Sequence, residues 1–522
     1  MIRISNIKLS LDENENILEE KIQKKYRIKK IKSFRISKKS IDARRKNDVH
    51  YVYSVDVETD NDKLYVGKNA VIHEESEYKF PKGKIPDKPI VIAGMGPAGF
   101  MCGLTLAKNG YKVIICERGK CVEDRKKDVE KFWSRGELNP ESNVQFGEGG
   151  AGTFSDGKLT TGINDFRIRY ILNEFYNHGA PKEILYNSKP HIGTDNLSKM
   201  AQAIRYDIIA NGGEIKFSSK VTDIIIRDGK LIAVKILGPN GEEIIETDNF
   251  VLAVGHSARD TFEMLKDRGV KMQRKPFSVG VRIEHSQEMI NKSQYGDFYK
   301  RLGAADYKLS VHLDNGRGVY TFCMCPGGYV VASASETGGV VTNGMSYFDR
   351  SGENANSAVL VNIVPDDFAG DDVLAGIHFQ REIEHKAYEY GGKDYKAPAQ
   401  RVGDFLGIKE KGIAVDPTYN PGVCWTKLDN IFPDFVTDSL KEGIFAMDKK
   451  LRGFADAGAV ITAPETRSSS PVRVLRDKET MMSNIIGLYP CGEGAGYAGG
   501  ITSAAVDGVK VAECIALNGL EG

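Results

Sequence analysis

The chain has 522 residues, 41% hydrophobic and 27% charged, with a formal net charge of +1. That length accommodates two to four domains with full cores, and the balanced charge gives no reason to expect nucleic acid or an acidic membrane as partner of the whole molecule. No apolar run reaches eighteen residues, MIRI does not open a signal peptide, and eight cysteines in so long a chain do not make a secreted disulfide framework, so a cytoplasmic protein without a membrane span is expected.

Residues 1–50 depart from the average, with fifteen Lys or Arg against seven Asp or Glu. Their pattern predicts a strand over Ile2–Leu11, a helix over Asn14–Arg27, and strands around Ile31–Ile36 and Val49–Val57. This reads as a small basic α+β module, 1–84, joined by a polar linker from Glu74 to Lys88 that carries Pro81, Gly83 and Pro86. A solvated basic face is the simpler reading of its charge; docking of RNA or protein is the alternative.

After the linker comes PIVIAGMGPAGF, residues 89–100. Ile90–Ala93 predicts a buried strand, Gly94, Gly96 and Gly99 form a GxGxxG, and Phe100–Asn109 predicts a helix stopped by Gly110. A second strand, Tyr111–Glu117, ends in an acid. Strand, glycine loop, helix, strand and acid together predict a dinucleotide site. Gly94 permits the tight turn, Gly96 lets the backbone approach a pyrophosphate, and Gly99 lets helix and strand pack. The helix start at Pro97 and Ala98 offers free N–H groups to phosphate, and Glu117, with Arg118 beside it, is placed to accept ribose hydroxyls.

A further cluster, FGEGGAGTFSDGKL (146–159), holds four glycines within Gly147–Gly152. Residues 214–256 then alternate as strands, with a hairpin turn at Asp228-Gly229, a second between Gly238 and Gly241, and a buried run from Phe250 to Gly255. Strands are also expected over Phe277–Glu284, Leu309–Leu313 and Val319–Cys323, within a cap domain, 275–450, and no second strand–GxGxxG–helix unit appears between 260 and 480. Near the end, Ile486–Tyr489 predicts a last strand, Gly492-Glu493 and Gly500 a close backbone approach, and Ile501–Ala516 a helix.

The antiparallel ribbon closely resembles that of glutathione-reductase-like FAD domains. That resemblance implies that the backbone of Val221 meets the adenine, and that Gly149, Gly150, Ala151, Gly152 and Thr153 lie along the isoalloxazine. It further implies that Gly255 ends an FAD-contacting strand. Glu493 would contact the ribityl or pyrophosphate portion where relatives more often have Asp, and the helix beginning at Gly500-Ile501 would face the flavin. The motifs GMGPAG, FGEGGAGTFSDGKL, FCMCPGG, PETRSSSPVR and YPCGEGAGYAGG resemble, over nearly the whole chain, the bacterial family called FAD-dependent dehydrogenases, and more distantly geranylgeranyl reductases. The implied fold is α/β: a Rossmann FAD domain in two parts, 85–274 and 451–522, around the cap. The implied activity is FAD-dependent hydride exchange with a small-molecule substrate, NAD(P)H binding only transiently. An FAD-containing binding or sensory protein and an isoprenoid-lipid reductase are the alternatives.

For the chemistry itself, Ser155, Lys158, Arg467, Cys323 and Cys325 are the candidates. The CxC pair suits dithiol–disulfide cycling beside flavin, although alternate strand residues sharing a face also pack as small hydrophobes. Without CxxC or a His-rich partner, no metal site is expected. Arg467 and Arg473, near Glu465 and Ser468–Ser470, suit an anionic substrate or a nicotinamide phosphate. His256 and the Glu284-His285 pair are further polar candidates.

Overall fold

A computed structural model describes residues 1–75 and 77–518. Ser76 of the predicted linker and positions 519–522 of the predicted C-terminal segment lie outside the described residues.

Five short parallel strands form the central sheet, in the order Leu488–Pro490, Phe250–Leu252, Ile90–Ala93, Val113–Cys116 and Glu214–Lys216. Apolar runs suit strands buried on both faces. Ile90 and Ile92 turn toward helices Pro97–Lys108, Thr194–Ala210 and Ile501–Asn518, while Val91 and Ala93 turn toward the opposite layer. That layer holds an antiparallel ribbon, Lys220–Arg227, Lys230–Gly238 and Gly241–Glu246, with helix Arg259–Asp267. Asp228 and Gly229 make the first hairpin turn with φ of 51° and 74°, the two left-handed residues that a tight turn between twisted strands requires.

From Ile90–Ala93 the chain steps outward to one side of the sheet, then crosses back to build the other. The switch between Ile90–Ala93 and Phe250–Leu252 leaves a crevice at their carboxyl ends, where open α/β sheets take ligands.

A second, larger sheet stands over that crevice. Its seven strands run in the order Ser310–His312, Gly318–Cys325, Asn354–Ile363, Phe277–Ser286, Val460–Glu465, Ala397–Arg401 and Val423–Trp425. Only the last pair is parallel. Helices Ala375–Tyr390 and Asp434–Asp448 pack into its core. Val460–Glu465 belongs to this sheet, so the expected boundary at 450/451 falls inside the unit; the chain rejoins the parallel sheet only at Leu488. Among the described residues no helix is long and apolar enough to cross a membrane.

The N-terminal residues form a four-stranded antiparallel sheet (Ile2–Ser10, Ser33–Asp42, His50–Glu58, Ala70–Ile72) with helix Leu18–Tyr26 over Ile2, Ile4, Val55 and Val57. Arg3 and Arg35 share Asp56, at 2.7 and 2.9 Å, so part of the basic excess is compensated within the module. The module also docks. Lys39 exchanges backbone hydrogen bonds with Tyr186 and Ser188, and the Lys46 ammonium donates to the Ser293 carbonyl at 2.7 Å. The linker is built into the neighbouring core: Tyr78 stacks on Tyr170 with centroids 4.2 Å apart, and its hydroxyl donates to Glu513 at 2.9 Å.

Candidate functional site

The crevice widens into a cleft of about 600 Å³ between the parallel sheet and the larger one. Three glycine loops from distant parts of the chain form its walls. Gly94 has φ of 95°, and a Cβ there would lie 2.4 Å from the Ala253 carbonyl; one on Gly99 would lie 2.0 Å from the Gly94 carbonyl. Those two glycines serve the turn and the helix–strand contact. Gly96 differs: its nearest neighbour is the Gly150 Cα at 3.7 Å, so its backbone faces open cleft at the start of helix Pro97–Lys108. The Gly149 amide donates to the Met95 carbonyl at 2.8 Å, which ties the second loop to the first.

Glu117 is the hinge of these walls. It is 4% exposed, and its carboxylate accepts the backbone N–H groups of Met95 at 2.8 Å and of Gly119 and Gly147 at 2.9 Å. Arg125, fully buried, reinforces the second loop by donating to the carbonyls of Asn143, Val144 and Glu148 at 2.6–2.9 Å. Nothing in the local sequence around Arg125 marks this role. A Cβ on Gly147 would lie 2.3 Å from its Cδ, the one signal that a close neighbour is needed there.

The structure brings most of the expected residues to this cleft. Gly94, Gly96, Pro97, Ala98, Glu117 and Arg118 line one end, with Val221 and Gly255 beside them; Gly150, Ala151, Gly152, Ser155, Lys158, Glu493, Gly500 and Ile501 line the remainder, with Cys323 and Arg467 across from them. Gly99, Gly149, Thr153, Gly492 and Cys325 do not line it. Thr153 is buried, with its side chain against Gly149 and its hydroxyl donating to the Glu148 carbonyl at 3.2 Å. Gly492 turns its N–H to Asp507 at 2.7 Å and packs on Ala98. These residues shape the backbone around the cleft from behind.

Two charged candidates are differently placed from what their sequence context implies. Arg118 lies over the Phe146 ring at 4.0 Å, and its guanidinium is held by Glu141 and Asp260 at 2.8–3.0 Å. Arg467, expected to meet an anionic substrate, is spent internally: it donates to Glu384 at 2.8 and 3.1 Å and to the Ser335 hydroxyl, and its side chain is 2% exposed. Arg259 shares the same Glu384 carboxylate, at 2.8 and 2.9 Å, and also pairs with Glu336. Burial pushes the Arg467 guanidinium down, while Arg259 and Arg467 hold Glu384 well below the usual carboxylate range against its own burial. Arg467 is therefore part of the wall. The Ser155 hydroxyl is likewise used in the loop, donating to the Gly152 carbonyl at 2.7 Å and accepting the Gly157 N–H at 3.0 Å. Lys158 reaches across the cleft to donate to the Met324 carbonyl. Elsewhere, the ligand atoms of Glu174, His178 and Asp207 lie close enough to surround a cation, but the Lys108 ammonium sits there, 2.7 Å from Glu174 and 3.1 Å from Asp207.

Residues 276–468 match the family described as FAD-dependent protein, C-terminal domain-like, and residues 1–58 match a domain of unknown function. A Clostridium beijerinckii protein, itself uncharacterised, is 49% identical over 98% of both chains. The chain belongs to this family of FAD-dependent proteins. The digeranylgeranylglycerophospholipid reductase of Haloferax volcanii is 22% identical over 64% of this chain and 72% of its own. Among solved structures, the flavin-dependent brominase Bmp2 covers 83% of this FAD-dependent protein with 79% of its own chain, at 14% identity and a TM-score of 0.38. A geranylgeranyl bacteriochlorophyll reductase-like protein of Thermoplasma acidophilum gives 83%, 79%, 13% and 0.38. The assignment rests on the sequence matches and not on these two likenesses.

The cleft residues fit FAD on their own terms. Gly96 leaves a gap that any side chain would fill, at a helix start suited to phosphate. His256, which the sequence offers only as a polar residue after a strand, lines the cleft with its Nε2 buried and without a partner among the described residues, and its Nδ1 lies 3.5 Å from Glu493. A buried ring nitrogen without a partner is an unmet hydrogen bond, and a polar ligand in this cleft would meet it.

Proposed function

We propose that the chain is an FAD-dependent oxidoreductase that exchanges a hydride between flavin and a small organic substrate, with NAD(P)H entering the same cleft only transiently. The single observation that carries this reading is the meeting of the three glycine loops and Glu117 around one long cleft whose far part is walled by the second sheet. Bound FAD would supply reversible two-electron chemistry at its ring.

The residues of the chain divide the remaining work. Gly96 and the helix start at Pro97 receive the pyrophosphate, and Glu117, already fixed by three amides, offers its remaining lone pairs to ribose hydroxyls. Val221 backs the adenine. Loop 150–155 and the N-terminus of helix Ile501–Asn518 flank the ring; that helix end favours negative charge. Lys158, Glu465 and Cys323 face the space left for substrate. The assignment of FAD domain halves to 85–274 and to the segment after the cap, of the glutathione-reductase-like type, belongs to this proposal, as does a cytoplasmic location.

Thr160, Lys189 and Lys308 form an exposed polar rim to the cleft, with Asp306 paired to Lys189 at 2.6 Å. That rim suits a substrate with a charged or polar end. The Haloferax relative brings a second reading, reduction of an isoprenoid lipid, which requires a polar headgroup held at this rim. Anaerobic titration of FAD-loaded protein with NADH and NADPH, followed at the flavin absorbance, tests the first reading. Rapid bleaching by either supports it. Flavin that stays oxidised under both, yet is reduced by dithionite, refutes the nicotinamide step and favours a sensory or binding role.

A further inference from the structure

Cys323 and Cys325 sit on strand Gly318–Cys325, where regular alternation would put both on one face. The structure breaks that alternation. The pairing with Asn354–Ile363 slips by one residue between Phe322 and Cys325, and Cys323 adopts a left-handed φ of 42°. A non-glycine residue there is strained, and strain of this kind concentrates at functional sites. The bulge leaves Cys323 lining the cleft and Cys325 fully buried, its thiol donating to the Cys323 carbonyl at 3.3 Å.

Two cationic side chains clamp the bulge on consecutive carbonyls. The buried Arg282 guanidinium donates to the Cys323 carbonyl at 2.8 Å and is fixed from the other side by Glu465 at 2.6 and 3.0 Å; Lys158 donates to the Met324 carbonyl. The hydrogen bond from the Cys325 thiol beside it, with Arg282 and Lys158, brings the Cys323 thiol down against the effect of burial, while that same hydrogen bond and burial push Cys325 up. Elsewhere burial dominates: it pushes Cys116 up to about 12, and, with the nearby Asp507 carboxylate, pushes Cys491 well above its ordinary value. A cleft-facing thiol in positive surroundings is the reactive kind.

We propose that Cys323 and Cys325 form a dithiol–disulfide pair that exchanges two electrons with FAD bound in this cleft. This rests on the FAD reading above and extends it to a second redox centre. In the reducing direction, the two-electron-reduced flavin anion and the disulfide give oxidised flavin, a Cys323 thiolate and a Cys325 thiol. The Sγ–Sγ bond breaks, the electron pair comes from the flavin, and the one proton carried with it goes to Cys325. A dihydronicotinamide is the class of donor that restores the reduced flavin. Cys323 is the thiol that meets the flavin, and Cys325 is the resolving thiol behind it.

The test uses the full chain in FAD-loaded and FAD-free forms, with alkylation and peptide mass as the readout. Diamide should close the pair in both forms, so that the peptide carrying residues 323 and 325 takes up no alkyl groups, while Cys121, Cys424 and Cys514 supply reference thiols in the same digest. Anaerobic illumination with EDTA, which reduces flavin, should then reopen it to two alkyl groups in the FAD-loaded form and leave it closed in the FAD-free form. Cys323→Ser and Cys325→Ser should each leave the partner cysteine open to one alkyl group after diamide, as thiol or as a mixed disulfide released by reductant. Two alkyl groups on the wild-type peptide after diamide, or a pair that stays closed beside fully bleached flavin, overturns the proposal. Failure of the FAD reading shows separately, as protein that holds no flavin before any thiol is measured.

Discussion

Glu117 carries a sharper prediction than loss of cofactor. Its carboxylate ties Met95, Gly119 and Gly147, three points on two loops and the second strand, through bonds of 2.8–2.9 Å at 4% exposure. A buried donor left unpaired costs about 1–3 kcal/mol. Three such donors bound the effect of Glu117→Ala at about 3–9 kcal/mol, but Met95 and Gly147 line the cleft, where water replaces the lost acceptor in FAD-free protein. We therefore expect about 2–4 kcal/mol of destabilisation without any cofactor present. Glu117→Gln keeps one acceptor oxygen for Gly119 and Gly147 and turns an NH2 toward the Met95 N–H, so its loss should be about 1–2 kcal/mol. FAD affinity should fall further in both, by roughly tenfold to a hundredfold where ribose bonds of about 1.5–3 kcal/mol are lost. Urea unfolding of FAD-free and FAD-loaded protein, with fluorescence titration of FAD, separates the two effects. An FAD-free Ala variant with a wild-type midpoint would show that the carboxylate does not hold the loops together. Unchanged FAD affinity would remove it from the ribose site.

Gly94→Ala and Gly99→Ala should lower the melting temperature of FAD-free protein, because their Cβ atoms meet carbonyls at 2.4 and 2.0 Å, whereas Gly96→Ala should fold normally and lose FAD binding by titration. Removing Glu384 takes from Arg259 and Arg467 their shared buried carboxylate and leaves them the more exposed Glu336, so Glu384→Ala should cost about 3–5 kcal/mol, more than Arg467→Ala, which leaves Glu384 its Arg259 partner; equal losses in denaturant would refute the shared-carboxylate account. Truncation before Tyr78 should leave a folded protein that binds FAD, whereas deletion of 1–84 also strips Tyr78 and Phe80 from the neighbouring core and should cost about 2–4 kcal/mol more, read by thermal melting. Burial raises the Glu148 carboxyl from 4.5 to about 7 in the folded chain, so folding takes up a proton between those values and stability falls as pH rises through that window. Glu148→Gln abolishes that dependence, and its stability relative to wild type should rise by about 3 kcal/mol from pH 4.5 to 7 and flatten above; a constant difference across pH would place the Glu148 proton elsewhere.

What was legible in the sequence is what a single residue's backbone demands. The turn at Gly94, the packing at Gly99, the hairpin at Asp228-Gly229 and the buried runs of the parallel strands are local requirements, and each is found where its residues imply. The strand ends shift by a few residues because fraying and pairing, not propensity, set them. Helices Val122–Arg135, Arg167–Asn177, Ala375–Tyr390 and Asp434–Asp448 contain no glycine loop of the kind that marks the cleft, and their positions emerge with their packing partners. The CxC pair shows how a local rule is overridden. Strand alternation puts both thiols on one face, yet two cations from residues 158 and 282 hold a bulge that brings Cys323 to the cleft and leaves Cys325 buried directly behind it.

Arg467 shows why the site chemistry was the less legible half. An arginine among serines, close to a cofactor, looks the same in sequence whether it awaits an anionic ligand or pairs inside the protein. The difference lies in Glu384, eighty-three positions earlier on a helix packed into the core of the same sheet, which supplies the carboxylate at 2.8 Å. Charge compensation is a long-range property: a buried guanidinium is tolerated only where a partner arrives by folding. The same logic applies in reverse to His256, whose Nε2 finds no partner among the described residues. Residues that folding satisfies leave the list of ligand contacts, and those it leaves unsatisfied on the cleft wall join it, whatever their neighbours in sequence.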